Sequence, residues 1–251
     1  MQPKFTTGPQ RLILVRHGHS VGNLADDKAR ESKAERLDLD ARDADVELSD
    51  TGTEQAQGVA DWLEREKALR EAAVVVSSPY RRAAETAKRA VEGLGLTVQF
   101  DERLRERDLG AFDGLTGLGI RSHHPEEAER RKKLGKFYYQ PPMGESWADV
   151  ALRVRSLLDD LRHGYDDADV WLFTHQAVIM SFRYVLEDLD EAALLEIDRT
   201  TPIPNASMTS YERKGDFFEL DQFADTAAVE GIGADVTHEP QQAGRGSDEH
   251  A

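Results

Sequence analysis

Arg11-Leu12-Ile13-Leu14-Val15-Arg16-His17-Gly18-His19-Ser20-Val21-Gly22-Asn23 begins as a short apolar run between arginines and ends as a polar, glycine-punctuated turn. Such a run, β-branched and without polar alternation, reads as a strand buried on both faces. The shape recurs along the chain. Residues 74–76 run into Ser77-Ser78-Pro79, a short strand is expected at 97–100, and residues 170–173 run into Thr174-His175-Gln176. Helical stretches alternate with these strands. One begins at Ser49 or Asp50 and continues to about Arg70, and another covers about 80–92, closed by Gly93 and Gly95. A third carries Val150, Val154, Leu157, Leu158 and Leu161 on one face, and a fourth reaches Leu186. Residues 207–213 and 216–220, split by Lys214 and Gly215, read as a terminal hairpin. The pattern predicts an α/β fold with a mainly parallel central sheet and helices on both faces. In such sheets ligands bind beyond the carboxyl ends of the strands, where two of the eight histidines, His17 and His175, are placed.

Composition narrows the function classes. The 251 residues fit one large domain, predicted over 1–222, and 39% hydrophobic with 32% charged residues supports a core with a solvated surface. Residues 25–47 and 115–143 read as lid or cap insertions, and residues 223–251, rich in Gly, Ala and acids, as a disordered tail. A net charge of −16 argues against a nucleic-acid partner. The chain has no apolar run of the roughly 20 residues that span a bilayer and no secretory-type apolar stretch near its start, so the expectation is a cytoplasmic protein without a membrane partner. Cysteine is absent, which removes disulfides, thiolate metal sites and a cysteine nucleophile. The sequence carries no sign of oligomeric state.

Several further motifs gather around the strand ends. LSDTGTEQA opens a helix, SSPYRRAAET follows the second strand, and LRERDLGAFDG follows the third. GESWADV begins the long helix and FTHQAV follows the fourth strand. With VRHGHSVGN, this series spans roughly residues 11–186 and resembles the histidine phosphatase superfamily, the phosphoglycerate-mutase-like enzymes. Within it, FYYQPPMGESWADV is most similar to broad-range acid phosphatases.

The resemblance implies a phosphoglycerate-mutase-like fold and a phosphomonoester hydrolase acting through phosphohistidine on small phosphorylated metabolites, with no cofactor and no metal. It makes His17 the nucleophile, a role suited to an imidazole that is neutral near pH 7. Arg16 and Arg82 are implied to clamp phosphoryl oxygens, where a guanidinium makes bidentate contacts. His175 stabilises the transferred charge, and Glu106 is the proton donor. Ser20 and Asn23 match positions that hydrogen-bond phosphate, with turn-forming as the competing reading. Gln176 stands where many relatives carry glycine and is expected to reach the substrate. Arg16, Arg81 and Arg82 are expected to converge, with Arg103, Arg105 and Arg107 flanking Glu106, as a positive pocket in a negative shell.

Other chemistries fit less well. His123-His124 precedes Pro125 and lacks the i, i+4 spacing of a helical zinc pair, so it reads as loop near the pocket mouth. Tyr138 and Tyr139 read as packing or cap residues. A mutase has the same catalytic parts, but the arginine pair that precedes the proline run in mutases is absent from residues 135–142. A non-catalytic phosphate binder is disfavoured because both histidines, both arginines and the carboxylate are present.

Overall fold

The computed structural model describes residues 2–65 and 73–239. In chain order these form β1 (Arg11–Arg16), α1 (Val21–Glu31), α2 (Asp50–Arg65), β2 (Ala73–Ser77), α3 (Arg81–Ala90), β3 (Val98–Phe100), α4 (Gly117–His123) and α5 (Pro125–Leu134). There follow α6 (Trp147–Leu161), β4 (Asp169–Thr174), α7 (Gln176–Leu186), α8 (Glu191–Thr200), β5 (Met208–Lys214), β6 (Phe217–Asp225) and α9 (Ala227–Glu230).

The strands form one sheet in the order β3-β2-β4-β1-β5-β6. The first four are parallel, while β5 and β6 add an antiparallel hairpin at one edge. Alternation along each buried strand divides the core into two layers. Leu12, Leu14, Val170 and Leu172 face α6 and α7, whereas Ile13, Val15, Trp171 and Phe173 face α2, α3 and α9. This is the α/β sheet with helices on both faces that the alternating runs imply.

Register then decides what shares the carboxyl rim. Arg16 lies opposite Thr174, and Ser77 lies opposite Phe173. The next residues, His17, His175 and Ser78, therefore emerge side by side. The His17 N–H donates to the Thr174 carbonyl at 2.9 Å, and the Ser78 N–H to that of Phe173 at 2.9 Å.

Three expectations change. Residues 25–31 complete α1, and residues 32–47 are tied to the second insertion by main-chain hydrogen bonds, Leu37 N–H to Gly114 O at 2.9 Å and Thr116 N–H to Glu35 O at 3.1 Å. The predicted disordered tail is ordered over 223–239. β6 runs to Asp225, and Ala228 and Val229 are buried against α2 because Gly58 leaves room for the Ala228 carbonyl. His123 is the last residue of α4 and bonds Glu35 at 2.9 Å through its Nε2. The predicted extension of α2 to Arg70 and the tail over 240–251 fall outside the described residues.

Candidate active site

The rim of β1, β2 and β4 holds two buried imidazoles. The His17 and His175 ring centroids lie 5.0 Å apart, with the planes tilted by 56°. His17 Nδ1 is 2.8 Å from the Gly18 carbonyl oxygen, which can only accept, so Nδ1 carries the proton and Nε2 keeps its lone pair. Burial lowers the His17 pKa well below 6.5, and the Arg82 and Arg16 charges lower it further. The ring is therefore neutral at physiological pH. His175 is pushed well down by the same causes, burial first, then Arg82 and His17. Its Nε2 is 2.9 Å from the Ser78 hydroxyl, and the Tyr80 ring meets it edge-on at 5.5 Å.

Two buried guanidiniums enclose this pair. Arg16 ends β1, is 1% exposed, and donates to the Ile203 carbonyl. Arg82, in the first turn of α3, donates to the Asp43 carbonyl at 2.7 Å and pairs with the Asp43 carboxylate at 2.9 Å. Among the described residues, Arg16 Nε and His175 Nδ1 are buried without a hydrogen-bond partner. Such orphaned polar groups are costly unless a ligand satisfies them, and anion oxygens suit the arginine.

Glu106 sits in the loop after β3, a loop tied to the rim by Thr174 Oγ1, which donates to the Leu104 carbonyl at 2.7 Å. Its carboxylate accepts from the Arg107 N–H at 2.7 Å, and Arg153 Nη2 reaches its carbonyl at 3.3 Å. Burial raises the Glu106 pKa, opposed by the Arg107 N–H and Arg82, and the Glu239 and Asp43 charges raise it further. The protonated acid is thereby favoured.

Ser20 and Asn23 are first of all a helix cap. Ser20 Oγ accepts from the Asn23 N–H at 3.1 Å, while Asn23 Oδ1 accepts from the Ser20 N–H at 2.9 Å. That leaves the Asn23 amide nitrogen to donate to Glu239 Oε1 at 3.0 Å, the oxygen that Arg16 Nη2 holds at 2.6 Å. Asn23 thus shares an anion with Arg16, whereas Ser20 serves the cap. Gln176 opens α7 beside His175.

The expected arginine cluster is smaller than the sequence suggests. Arg81 turns outward to Glu47 and Glu85 at 2.7 and 2.8 Å, because the adjacent helix position faces away from Arg82. Arg103 pairs with Asp101 and Asp160, and Arg105 with Glu145. Acids thus engage Arg81, Arg103 and Arg105 in addition to the Arg82–Asp43 pair. Tyr139 packs with Phe112 and Leu115 in a small apolar cluster of the cap, and Tyr138 lies on the surface bonded to Glu191.

Sequence reasoning missed the braces. Gly18 has no left-handed φ; a Cβ there would lie 2.6 Å from the Gly52 carbonyl oxygen, so close backbone packing demands the glycine. The Gly18 N–H donates to Thr86 Oγ1 at 3.0 Å, and Asn205 Nδ2 donates to the His17 carbonyl at 3.2 Å. Ser78 and Thr86 lay within a quoted motif, whereas Asn205 follows Pro202-Ile203-Pro204 with no local signal.

Comparison with known proteins gives the family and the fold. A sequence model described as the histidine phosphatase superfamily (branch 1) matches residues 12–226. A bifunctional protein of Mycobacterium tuberculosis is 34% identical over 185 residues, covering 71% of this chain and 45% of the relative. A glucosyl-3-phosphoglycerate phosphatase of the same organism is 34% identical over 152 residues, covering 61% of this chain and 60% of the relative. The chain thus spans about half the length of these curated relatives. A solved structure of mycobacterial glucosyl-3-phosphoglycerate phosphatase with VO3 aligns with a TM-score of 0.68 at 30% identity, covering 86% of this chain and 98% of that one. Among the described residues, no helix is long and apolar enough to cross a membrane.

Proposed function

The chain belongs to the histidine phosphatase superfamily, and from that premise we propose that it hydrolyses small phosphomonoesters through a phosphohistidine on His17. The observation that carries the proposal is the pair of neutral, buried imidazoles 5.0 Å apart, held beside Arg16 and Arg82.

Arg16, Arg82 and Asn23 bind the phosphoryl oxygens, and His175 donates a further hydrogen bond as charge accumulates. The lone pair of His17 Nε2 attacks phosphorus, a P–N bond forms, and the ester P–O bond breaks. Glu106 gives its proton to the departing oxygen, so an alcohol leaves. Water then attacks phosphorus while the Glu106 carboxylate accepts its proton. The P–N bond breaks, its electrons return to Nε2, and inorganic phosphate departs. The first step uses groups the electrostatics support: a histidine kept neutral and a carboxyl whose protonated form burial favours.

The phosphorylated sugar acids named for the relatives stand first among candidate substrates. A panel of phosphomonoesters, including 3-phosphoglycerate with and without 2,3-bisphosphoglycerate, tests the proposal. Release of free phosphate is expected; an isomer formed without phosphate release would replace hydrolysis by mutase chemistry.

A further inference from the structure

The chain beyond α9 doubles back across the catalytic rim. After Gly231 it passes along the amino-terminal half of α2, where Gln55 Nε2 donates to the Asp235 carbonyl at 2.8 Å and to Thr237 Oγ1 at 2.9 Å. Thr237 is also held on its other side. Its hydroxyl donates to Asn205 Oδ1 at 3.0 Å, and its carbonyl accepts from the Asn205 N–H at 2.8 Å. Two residues later, one oxygen of Glu239 accepts from both Arg16 Nη2 and Asn23 Nδ2.

These anchors are not incidental surface groups. Gln55 Oε1 accepts from the His19 N–H at 2.8 Å, and Asn205 Nδ2 donates to the His17 carbonyl at 3.2 Å. The side chains that brace the nucleophile loop therefore grip residues 235–237 as well. The grip sets the reach of the following two residues, and at that distance stand the two donors assigned above to a phosphoryl oxygen. A carboxylate offers them the same charge and acceptor geometry as one edge of a phosphate. Its charge is also felt at Glu106, whose proton it helps retain. Glu239 is partly exposed, at 42%, while Arg16 is 1% exposed, so the acid can leave by a route open to solvent and the cation cannot.

We propose that residues 231–239 form an autoinhibitory strap in which Glu239 occupies the phosphoryl-binding donors, Arg16 and Asn23, and is displaced when substrate binds. The inference rests on the reading of Arg16 and Asn23 as phosphate ligands. Closing the strap reduces the fraction of molecules open to phosphate, and apparent affinity falls by that fraction. Because the strap competes only for binding, it raises KM and leaves kcat at saturation unchanged.

The test uses the full chain and inorganic phosphate as the probe, with affinity measured by calorimetry. Glu239→Gln keeps the size of the side chain and removes its charge, while Thr237→Val loosens the grip two residues away. Both variants are expected to bind phosphate about tenfold more tightly than the wild type, the factor that about 1.4 kcal/mol of strap closure imposes. Both should also lower KM for an aryl phosphate by a similar factor at unchanged kcat. Equal phosphate affinities in all three proteins overturn the strap, and so does a tighter Glu239→Gln paired with a fall in kcat that tracks it. The catalytic reading is judged separately. Wild-type hydrolysis that is lost in His17→Ala preserves it when the strap fails. If no variant hydrolyses any ester, the reading fails even where the strap still shifts phosphate binding.

Discussion

A Cβ at Gly52 would lie 1.8 Å from the His19 carbonyl oxygen, and one at Gly119 would lie 2.0 Å from that of Glu35. Both glycines open the first turns of a helix, α2 and α4, and both let a facing loop lie directly on the helix backbone. The loops differ in what else holds them. Around His19, the Ser49 N–H and hydroxyl donate to its carbonyl at 3.0 and 3.1 Å, Gln55 takes its N–H, and strand pairing fixes the residues just before it. Around Glu35, the contacts include the Thr116 N–H, side-chain hydrogen bonds with Ser122 and His123 and a bridge from Arg36 to Leu115, over an apolar cluster of a few side chains. The rim is thus over-determined and built for one geometry, whereas the cap joins two insertions through a few bonds. On the proposed mechanism the chemistry is assigned to the first, and we propose that the second selects the leaving group. Substitutions in each region can separate these roles.

The largest separation is expected from His17→Ala. Removing the proposed nucleophile should lower kcat/KM for an aryl phosphate by at least about 10⁴-fold. Arg16, Arg82 and Asn23 are untouched, so affinity for inorganic phosphate should stay within a few-fold of wild type. Wild-type enzyme quenched in acid and alkali after exposure to radiolabelled substrate should show an alkali-stable, acid-labile phosphoenzyme that the variant lacks. Retained turnover in the variant would remove His17 from the mechanism.

Glu106→Gln should act through the leaving group and through pH. The variant cannot give a proton, so alkyl phosphates should lose roughly 10²- to 10⁴-fold in kcat, while aryl phosphates with good leaving groups lose much less. The signs follow from the shifts. His17 must be neutral, and its pKa is lowered, so activity is lost on acidification only well below pH 6.5. Glu106 must be protonated, and its pKa is raised, so activity is lost as pH rises through a value above the ordinary 4.5. A bell with an acidic-to-neutral optimum is expected for kcat, and Glu106→Gln should lose the alkaline limb. A wild-type profile that is flat from pH 5 to 9 with chemistry rate-limiting would contradict the assignment.

Gly52→Ala tests the rim's rigidity without touching a catalytic group. The methyl group must push the His19 carbonyl away, and with it the loop that carries His17. Overpacking of this kind costs about 1–3 kcal/mol in stability. A displacement approaching 1 Å is enough to cost on the order of 10²-fold in rate. The effect should fall on kcat for every ester alike, measured alongside the melting temperature to confirm that the chain is folded.

The same contrast explains what could be read from the chain. Residues 12–15, 74–76 and 170–173 announced three parallel strands because a strand buried on both faces must be apolar throughout. Once their order was fixed, the rim residues followed, since Arg16 ends β1 and His17 and His175 are the first positions beyond β1 and β4. The cap and strap gave no comparable signal. α5 (residues 125–134) has no buried residue, so its sequence shows no core-facing stripe, and α1 buries only Asn23, Ala25 and Ala29. Ala234 packs on the core, but residues 235–239 are held through polar side chains and main-chain carbonyls, and composition reads such a stretch as tail. Arg81 and Arg82 could be told apart by motif, but the pairing of Arg105 with Glu145, and part of that of Arg103 with Asp160, depends on acids far along the chain.

The smallest expected effect, and the sharpest on the cap, is that of Gly119→Ala. The added methyl group separates α4 from the Glu35 carbonyl, straining the Thr116 N–H bond to that oxygen and the adjoining Leu37–Gly114 pair. No catalytic side chain is carried on either segment. Asp43, however, lies six residues beyond Leu37 and holds Arg82 through both its carbonyl and its carboxylate, so a loosened cap can reach the rim through that acid. For a small aryl phosphate, whose leaving group makes few contacts, kcat should therefore change by less than about twofold. For a phosphorylated sugar acid that fills the space beneath the cap, KM should rise about three- to tenfold, since a lost contact of roughly 1 kcal/mol corresponds to such a factor. If both substrates lose kcat equally, the cap positions the catalytic arginine instead of choosing the alcohol. Asp43→Asn, which keeps the carbonyl bond to Arg82 and weakens the ion pair, would then reproduce the defect.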